Sequence, residues 1–513
     1  MIDTSQIPQT EFDPVPRAGE GLGRIAARSS MAVGLAKAIR YAFVFVVHVL
    51  LMNLLDPDDF GLVRYVTIVL GVLNLVNEAG LGVAIVQKKK LGKAELAPVF
   101  TLNLVLSMGL YCIAFVLAPV FASFFGEKQL TDLIRVGAIA VPVSGVSVVH
   151  RAMLQRRFRY GRLAGIEVAG AIAGASVSLA LAFAGFGVWS LVWGTVTFFG
   201  LSTTLLFVNG PWFGGYFTAV ERALPLFAFG VAMVCQRIID YGARNVDYLV
   251  VGKTFGATAL GVYGVAYDIV TLPQLALGVV LANVALSALS RFQDDNDRLN
   301  VWFIRLTVVV SIAATPFLVL VGGMAPDLMH AVTFLKPSTK WLPAAGPLRV
   351  LVPVGILYSF TSYPGILWIA KGRAWLRVGW ALLALVTVCA AVLIGRVFGM
   401  MGVCWALLIR AILLFPVVLF VTQHVVGLSP LRYLRSLVPA VACGAAMLGV
   451  VLAVAGLVPG GSPAAHVSRV LAAGAAGTGA YLLVLYIVFR EAWHTVNRLL
   501  HSAFSKGPSN GEG

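Results

Sequence analysis

Apolar windows of helical length follow one another along almost the whole chain, at about 31–54, 60–85, 97–124, 132–154, 163–185, 186–209, 226–251, 258–290, 301–325, 343–370, 375–396, 397–422, 436–458 and 466–489. A segment crossing roughly 30 Å of hydrocarbon needs about 20 apolar residues and must satisfy its own backbone, which a helix does. Fourteen spans is the count, and thirteen the alternative. The least separated pairs lie at 163–209, divided only by Gly185-Phe186-Gly187, and at 375–422, divided around Arg396 to Gly399; each stretch is too long for one helix. The expected fold class is an all-α polytopic membrane protein. With 59% apolar and 12% charged residues in a chain of 513, no room remains for a large soluble domain.

The net charge of +16 is distributed unevenly. With both ends on one side, that side collects Arg17, Arg24 and Arg28, then Lys88, Lys89, Lys90 and Lys93, then Arg151, Arg156, Arg157, Arg159 and Arg162. It continues with Arg222, Arg291, Arg298, Lys371, Arg373, Arg377, Arg432, Arg435, Arg490, Arg498 and Lys506. The opposite loops offer Lys128, Lys253, Lys336, Lys340 and Arg396 with the acidic Asp56-Pro57-Asp58-Asp59. A ratio of roughly four to one puts both termini in the cytoplasm. The same partition absorbs the basic excess, so no nucleic-acid partner is expected. Cys112, Cys235, Cys389, Cys404 and Cys443 all sit in apolar runs and read as core residues. The polar first thirty residues lack the basic-then-apolar order of a cleaved signal, so the first span is expected to be retained. The Gly/Ser-rich tail from Ser502 reads as disordered.

Two segments repeat. Phe60-Gly61-Leu62-Val63-Arg64-Tyr65 after span one is echoed by Leu260-Gly261-Val262-Tyr263-Gly264-Val265 after span seven, and Gly187-Val188-Trp189 by Gly402-Val403-Cys404-Trp405. Six spans per copy give a parallel repeat about an axis along the membrane normal; chance similarity between Gly-rich apolar segments is the competing account. The resulting division is a cytoplasmic segment 1–30, a six-helix bundle 31–209, an interfacial linker 210–225, a second six-helix bundle 226–422, two further helices within 423–490, and a cytoplasmic tail 491–513.

The run LLDPDDFGLVRYVTIVLGVLNLVNEAGLGVAIVQKK at 54–89 resembles the signature of Wzx-type polysaccharide flippases, most closely the colanic acid exporter branch. FTLNL at 100–104, RAMLQRRFRY at 151–160, GFGVWSLVWG at 185–194 and DYLVVGKTFGATALGVYGVAYDIVTLP at 247–273 extend the resemblance over roughly residues 30–425. It implies membership of the multidrug/oligosaccharidyl-lipid/polysaccharide exporter superfamily, with two six-helix bundles around a central cavity and two additional C-terminal helices. The implied activity is transfer of an undecaprenyl-diphosphate-linked oligosaccharide from the cytoplasmic to the periplasmic leaflet of a bacterial inner membrane. The implied partners are that lipid-linked cargo, a proton or sodium ion, and polymerase or chain-length regulator proteins; no cofactor is expected.

Ionisable groups at membrane depth cost about 2.5–3.5 kcal/mol on insertion scales, so each should face a cavity or a partner. Span seven carries Arg237, Asp240, Arg244 and Asp247 on an arc of about 80°. That stripe can line a cavity or pair internally as a ladder of alternating sign. Arg40, about 15 Å into span one and near the midplane, maps onto Asp240 by the repeat offset. Arg40, Arg237 and Arg244 are therefore the candidate diphosphate ligands, because a planar guanidinium matches phosphate oxygens in bidentate fashion. Glu78, Asp240, Asp247 and Asp268 are the candidate cavity or ion-coupling carboxylates, with a purely structural pairing open for Glu78. Glu167, Arg305, Arg349 and Arg410 lie nearer span ends and read as snorkelling groups. The alternative functions are export of small amphipathic compounds on the same fold, or a membrane polysaccharide polymerase. The longest loop, around 326–342, holds only Asp327, His330, Lys336 and Lys340 for catalysis, and no GxxxxGK[ST] motif supports ATP hydrolysis.

Overall fold

The structure is a computed structural model that describes residues 42–79, 93–157, 159–210, 224–291, 295–458 and 461–494, with Arg40, Gly82, Ile85 and Asn497 besides. Among these residues eleven helical stretches are long and apolar enough to cross a membrane. Two of them, Arg237–Ala276 with 40 residues and Trp375–Val426 with 52, each cover two expected spans. The short apolar helix Ala42–Leu54 is the described part of expected span one. All fourteen windows thus meet a helix, and the all-α polytopic class holds.

The helices are α1 (Ala42–Leu54), α2 (Pro57–Ala79), α3 (Lys93–Phe125), α4 (Leu130–Gly137), α5 (Ala140–Arg156), α6 (Tyr160–Phe183), α7 (Val188–Asn209), α8 (Leu224–Arg291), α9 (Asn296–Gly323), α10 (Ala325–Val332), α11 (Ala345–Phe360), α12 (Pro364–Ala370), α13 (Ala374–Gly395), α14 (Gly399–Val426), α15 (Pro430–Leu457) and α16 (Pro463–Ile487). Glycine and proline cut the apolar sequence into these pieces. Gly187 (φ 54) separates α6 from α7 and Gly399 (φ 78) separates α13 from α14, both in backbone regions that residues with a Cβ avoid. Gly256 interrupts α8 with φ 84 and ψ 180. Pro142 lacks an N–H for the Ala138 carbonyl and its ring crowds that group, which places the break between α4 and α5 one turn before it.

The chain divides into two compact units, Met1–Gly261 and Val262–Gly513. Most of the expected 210–225 linker lies outside the described residues. The stretch up to Gly261 belongs with the first unit because it packs on α2. A Cβ at Gly61 would stand 1.9 Å from the Ala257 carbonyl oxygen, and one at Gly261 would stand 1.8 Å from that of Pro57. Thr258 donates to Asp58 Oδ1 at 3.1 Å. Residues 57, 58 and 61 meet 257, 258 and 261, so positions related by the repeat offset contact each other reciprocally, as a local twofold requires. At the same end Asp59 Oδ2 accepts from the Asp56 N–H at 3.0 Å, closing the acidic turn that starts α2. Burial, reinforced by Asp58, pushes the Glu127 carboxyl above the usual carboxylate range.

Elsewhere in the first unit, α6 and α7 meet through small residues. A Cβ at Gly170 would reach Ser202 Oγ at 2.1 Å, and one at Gly194 would reach Ser178 Oγ at 1.8 Å. Such close backbone approach is how helices associate where lipid removes the hydrophobic drive. In the second unit Asp327, at the start of α10, accepts from Arg469 Nη1 at 2.9 Å and lies 2.8 Å from His466 Nδ1, both on α16. His330 stacks on His466 at 4.6 Å. This ion pair ties the last helix to the α9–α10 corner.

Two stability outcomes follow. Gly61→Ala and Gly261→Ala should each cost about 1–3 kcal/mol through forced separation of two backbones, and by similar amounts, whereas Gly109→Ala, with open space around it, should cost nothing; thermal unfolding in detergent reads all three. Asp327→Ala should lower the melting temperature, by an equivalent of about 3 kcal/mol, since it strands a half-buried guanidinium.

Candidate functional site

The first unit has a polar seam around α5. Carbonyls along its first turns take side-chain donors from three other helices. Asn77 Nδ2 of α2 donates to Val141 O at 3.3 Å and to Ser144 Oγ at 3.2 Å; Asn103 Nδ2 of α3 donates to Gly145 O at 2.9 Å; Thr203 Oγ1 of α7 donates to Val143 O at 3.0 Å. Ser144 Oγ also donates to Asn74 Oδ1 at 3.2 Å. The seam fixes α5 within the bundle, and α5 carries Arg151 on its last turns.

Three ionised side chains meet there. Arg151 Nη1 stands 2.7 Å from Glu167 Oε1, and Arg40 Nη1 stands 3.6 Å from Glu167 Oε2. The side chains of Arg40, Arg151 and Glu167 are 26%, 30% and 19% exposed, so the bundle shields much of the cluster without enclosing it. Two guanidinium groups share one carboxylate. Glu167 is thus a partner within the bundle and not a snorkelling group, which corrects the sequence expectation. The Arg40 guanidinium thus meets a carboxylate seven residues into α6.

The face of α8 expected to be polar is present. Arg237 and Arg244 are exposed, Asp240 is half-buried and Asp247 is buried at 2%. None of Arg237, Asp240 and Arg244 forms a salt bridge with a described residue, so the ladder of internal pairs is not formed there. Their helix is anchored on α2 by residues that flank this stripe: Tyr241 donates to Ile68 O at 3.2 Å, the Arg64 guanidinium lies 4.7 Å from the Tyr248 ring centroid, and a Cβ at Gly252 would reach the Tyr65 ring at 2.4 Å. Glu78 lies on α2, but its side chain is outside the described residues. Asp268 is half-buried in the second unit. Arg410 also departs from expectation. Its Nε donates to Thr387 Oγ1 at 3.0 Å, Nη2 to Ala384 O at 3.1 Å and Nη1 to the Tyr358 hydroxyl at 3.3 Å, a set of neutral acceptors inside the second unit.

A family model described as polysaccharide biosynthesis protein matches residues 50–345, more than half of the chain. The chain belongs to that family. TuaB of Bacillus subtilis (strain 168), a teichuronic acid biosynthesis protein, is 25% identical over 387 residues, 73% of this chain and 77% of that protein. WzxC of Escherichia coli (strain K12), a lipopolysaccharide biosynthesis protein, is 24% identical over 395 residues, 75% of this chain and 79% of that protein. Among solved structures, the lipid II flippase MurJ in an inward closed conformation superimposes with a TM-score of 0.74 at 14% identity, covering 90% of this chain and 99% of that one. An inward-facing multidrug resistance MATE family transporter of the MOP superfamily gives 0.56 at 14% identity, over 76% of this chain and 96% of that one. The two structures share the fold, and the Wzx-type resemblance read from the motifs stands within the family.

Arg151 is the site residue that the sequence placed elsewhere, among the loop cations. The available signal was Glu167, a lone carboxylate two turns into an apolar helix, which had to find a cation. If Arg237 and Arg244 reach water, a membrane-impermeant maleimide should label Arg237→Cys and Arg244→Cys at least about tenfold faster than the buried Asp247→Cys, in protein lacking the five native cysteines. Equal rates would mean the exposed face of α8 meets lipid.

Proposed function

We propose that this protein is a flippase that moves an oligosaccharide repeat unit carried on undecaprenyl diphosphate across the bacterial inner membrane for export as polysaccharide. The observation that carries this reading is the set of guanidinium groups within an apolar first unit: Arg40 and Arg151 on one shared carboxylate, and exposed Arg237 and Arg244 on one helix face. Such groups suit an anionic cargo and are a poor match for cationic amphipathic compounds. The names of the relatives, one of them the succinoglycan biosynthesis transport protein ExoT of Rhizobium meliloti (strain 1021), support a polysaccharide cargo, and the MurJ-like fold supports a lipid-linked one.

In this reading the protein works by alternating access. The reciprocal Gly61 and Gly261 contact closes the acidic-turn end, which the charge asymmetry makes periplasmic. Arg40, Arg237 and Arg244 contact the diphosphate, while Glu78, Asp240, Asp247 and Asp268 are the carboxylates available to load a proton or sodium ion. The cargo's release is coupled to an ion gradient or to consumption of the product outside.

Deletion in the host should leave complete lipid-linked repeat units in the cytoplasmic leaflet, read by mass spectrometry of extracted lipids; single units accumulating outside would instead identify a polymerase. Arg237→Ala with Arg244→Ala should abolish export at normal abundance, and Lys at both positions should restore it only in part. For orientation, Lys90→Cys should be protected from an impermeant maleimide in intact cells and Asp58→Cys labelled.

A further inference from the structure

In the second unit Arg410 stands near the middle of α14, half-buried, and its three partners are all neutral: Thr387 Oγ1 and Ala384 O on α13, and the Tyr358 hydroxyl on α11. Among the described residues it forms no ion pair. We infer that Arg410 and Tyr358 form an anion-binding site that takes one singly charged oxyanion of the cargo. The identity of that ligand rests on the flippase reading, which the site deepens.

The hydrogen-bond count points this way. A guanidinium has five N–H donors and no acceptor. Three are used here, by Nε, Nη1 and Nη2, which leaves one donor on each terminal nitrogen. The Tyr358 hydroxyl accepts from Nη1 at 3.3 Å and cannot donate in return, because a guanidinium offers no lone pair. Its own hydrogen is therefore a third donor, with no acceptor among the described residues. Thr387 differs, since its hydroxyl donates to Leu383 O at 2.7 Å and presents only a lone pair to Arg410.

Surplus donors, one full positive charge and no acid select the ligand's chemistry. A carboxylate or a phosphate diester brings oxygens enough for two N–H groups and a phenol, and its single negative charge matches the single guanidinium. A cation would meet repulsion and no acceptor. In a lipid-linked oligosaccharide that oxyanion has two sources, a carboxylate on an acidic sugar or a phosphate of the carrier.

The donors are also set in place without a ligand. Nε and Nη2 reach α13 at 3.0 and 3.1 Å through acceptors that stand 3.2 Å from each other, so both use one edge of the planar group. Near the turn that joins α13 to α14, a Cβ at Gly395 would stand 2.7 Å from the Gly402 carbonyl oxygen, which fixes the two helices against each other. A site held this way loses little freedom when it binds. The competing account is a tie between three helices. Neutral acceptors need only a neutral donor for that, so the charge of Arg410 is surplus to the packing.

The test is stabilisation of the full-length protein in detergent, read as the rise in melting temperature with sodium glucuronate or sodium dimethyl phosphate at fixed ionic strength, with glucose as the neutral control. At least one anion should stabilise wild type, with an apparent affinity that weakens about tenfold or more in Arg410→Gln and about three- to tenfold in Tyr358→Phe, which loses one donor and keeps the ring. Arg410→Lys, which keeps the charge without the fork, should fall between wild type and Arg410→Gln. The anion whose effect depends on Arg410 names the source, an acidic sugar for glucuronate and the carrier for dimethyl phosphate. Stabilisation undiminished in both Arg410→Gln and Tyr358→Phe comes from other cations and overturns the site, as does an anion effect in wild type no larger than that of glucose. A loss confined to Arg410→Gln overturns the part given to Tyr358. Should the Gln variant fail to fold, Tyr358→Phe decides alone. The flippase reading fails separately, on the lipid that accumulates after deletion.

Discussion

Every polar group inside this protein must find its partner within the protein, because the hydrocarbon around the helices supplies none. That condition brings polar side chains of one helix to the backbone of another. Asn77, Asn103 and Thr203 come from three separate helices to the carbonyls of Val141, Gly145 and Val143 on α5. Interhelix hydrogen bonds of this kind contribute only about 0.6 kcal/mol each on average, so the seam contributes more to register than to stability. It holds the last turns of α5, and Arg151 with them, at a fixed height.

In the second unit Asp327 is matched by Arg469 and His466, while Arg410 has a hydroxyl, a phenol and a carbonyl as partners. Asp327 thus meets its counter-charge, and the Arg410 guanidinium meets neutral acceptors. In the first unit two guanidinium groups share one carboxylate, and two further arginines stand exposed on α8 without a described ion-pair partner. Guanidinium groups gathered within a bundle suit an anionic cargo, which is why its chemistry is sought here.

The spans were legible because a window of about 20 apolar residues has few other uses, and their divisions were legible because glycine and proline mark them. Gly185-Phe186-Gly187 and Gly399 separate helices where the sequence places the boundaries. The repeat was legible at residues 60 and 260, and its reciprocal contact rests on glycines that no other residue could replace at that distance. Charge partners were not legible. Arg151 reads as one of a run of loop cations, and only packing of α5 against α6 brings it to Glu167. The alternating signs on α8 permit pairing at spacings of three and four, but an exposed pair gains little from closing, and the side chains remain apart. Sequence spacing states what can pair; solvation decides whether it does.

The reciprocal glycine contact bears on how such a molecule can move. It joins two helices by backbone approach over one turn each, with a single described side-chain hydrogen bond between Thr258 and Asp58 and no described ion pair across it. Dispersion over so short a stretch is collectively modest, and water can replace the hydrogen bond when the helices part. The contact can therefore open without leaving a desolvated charge behind. The Arg40, Glu167 and Arg151 cluster is opposite in kind, since parting those groups without a replacement anion strands charge in a half-buried site. The two contacts therefore differ in what parting them requires: water suffices for the first, and the second needs a replacement partner for each charge.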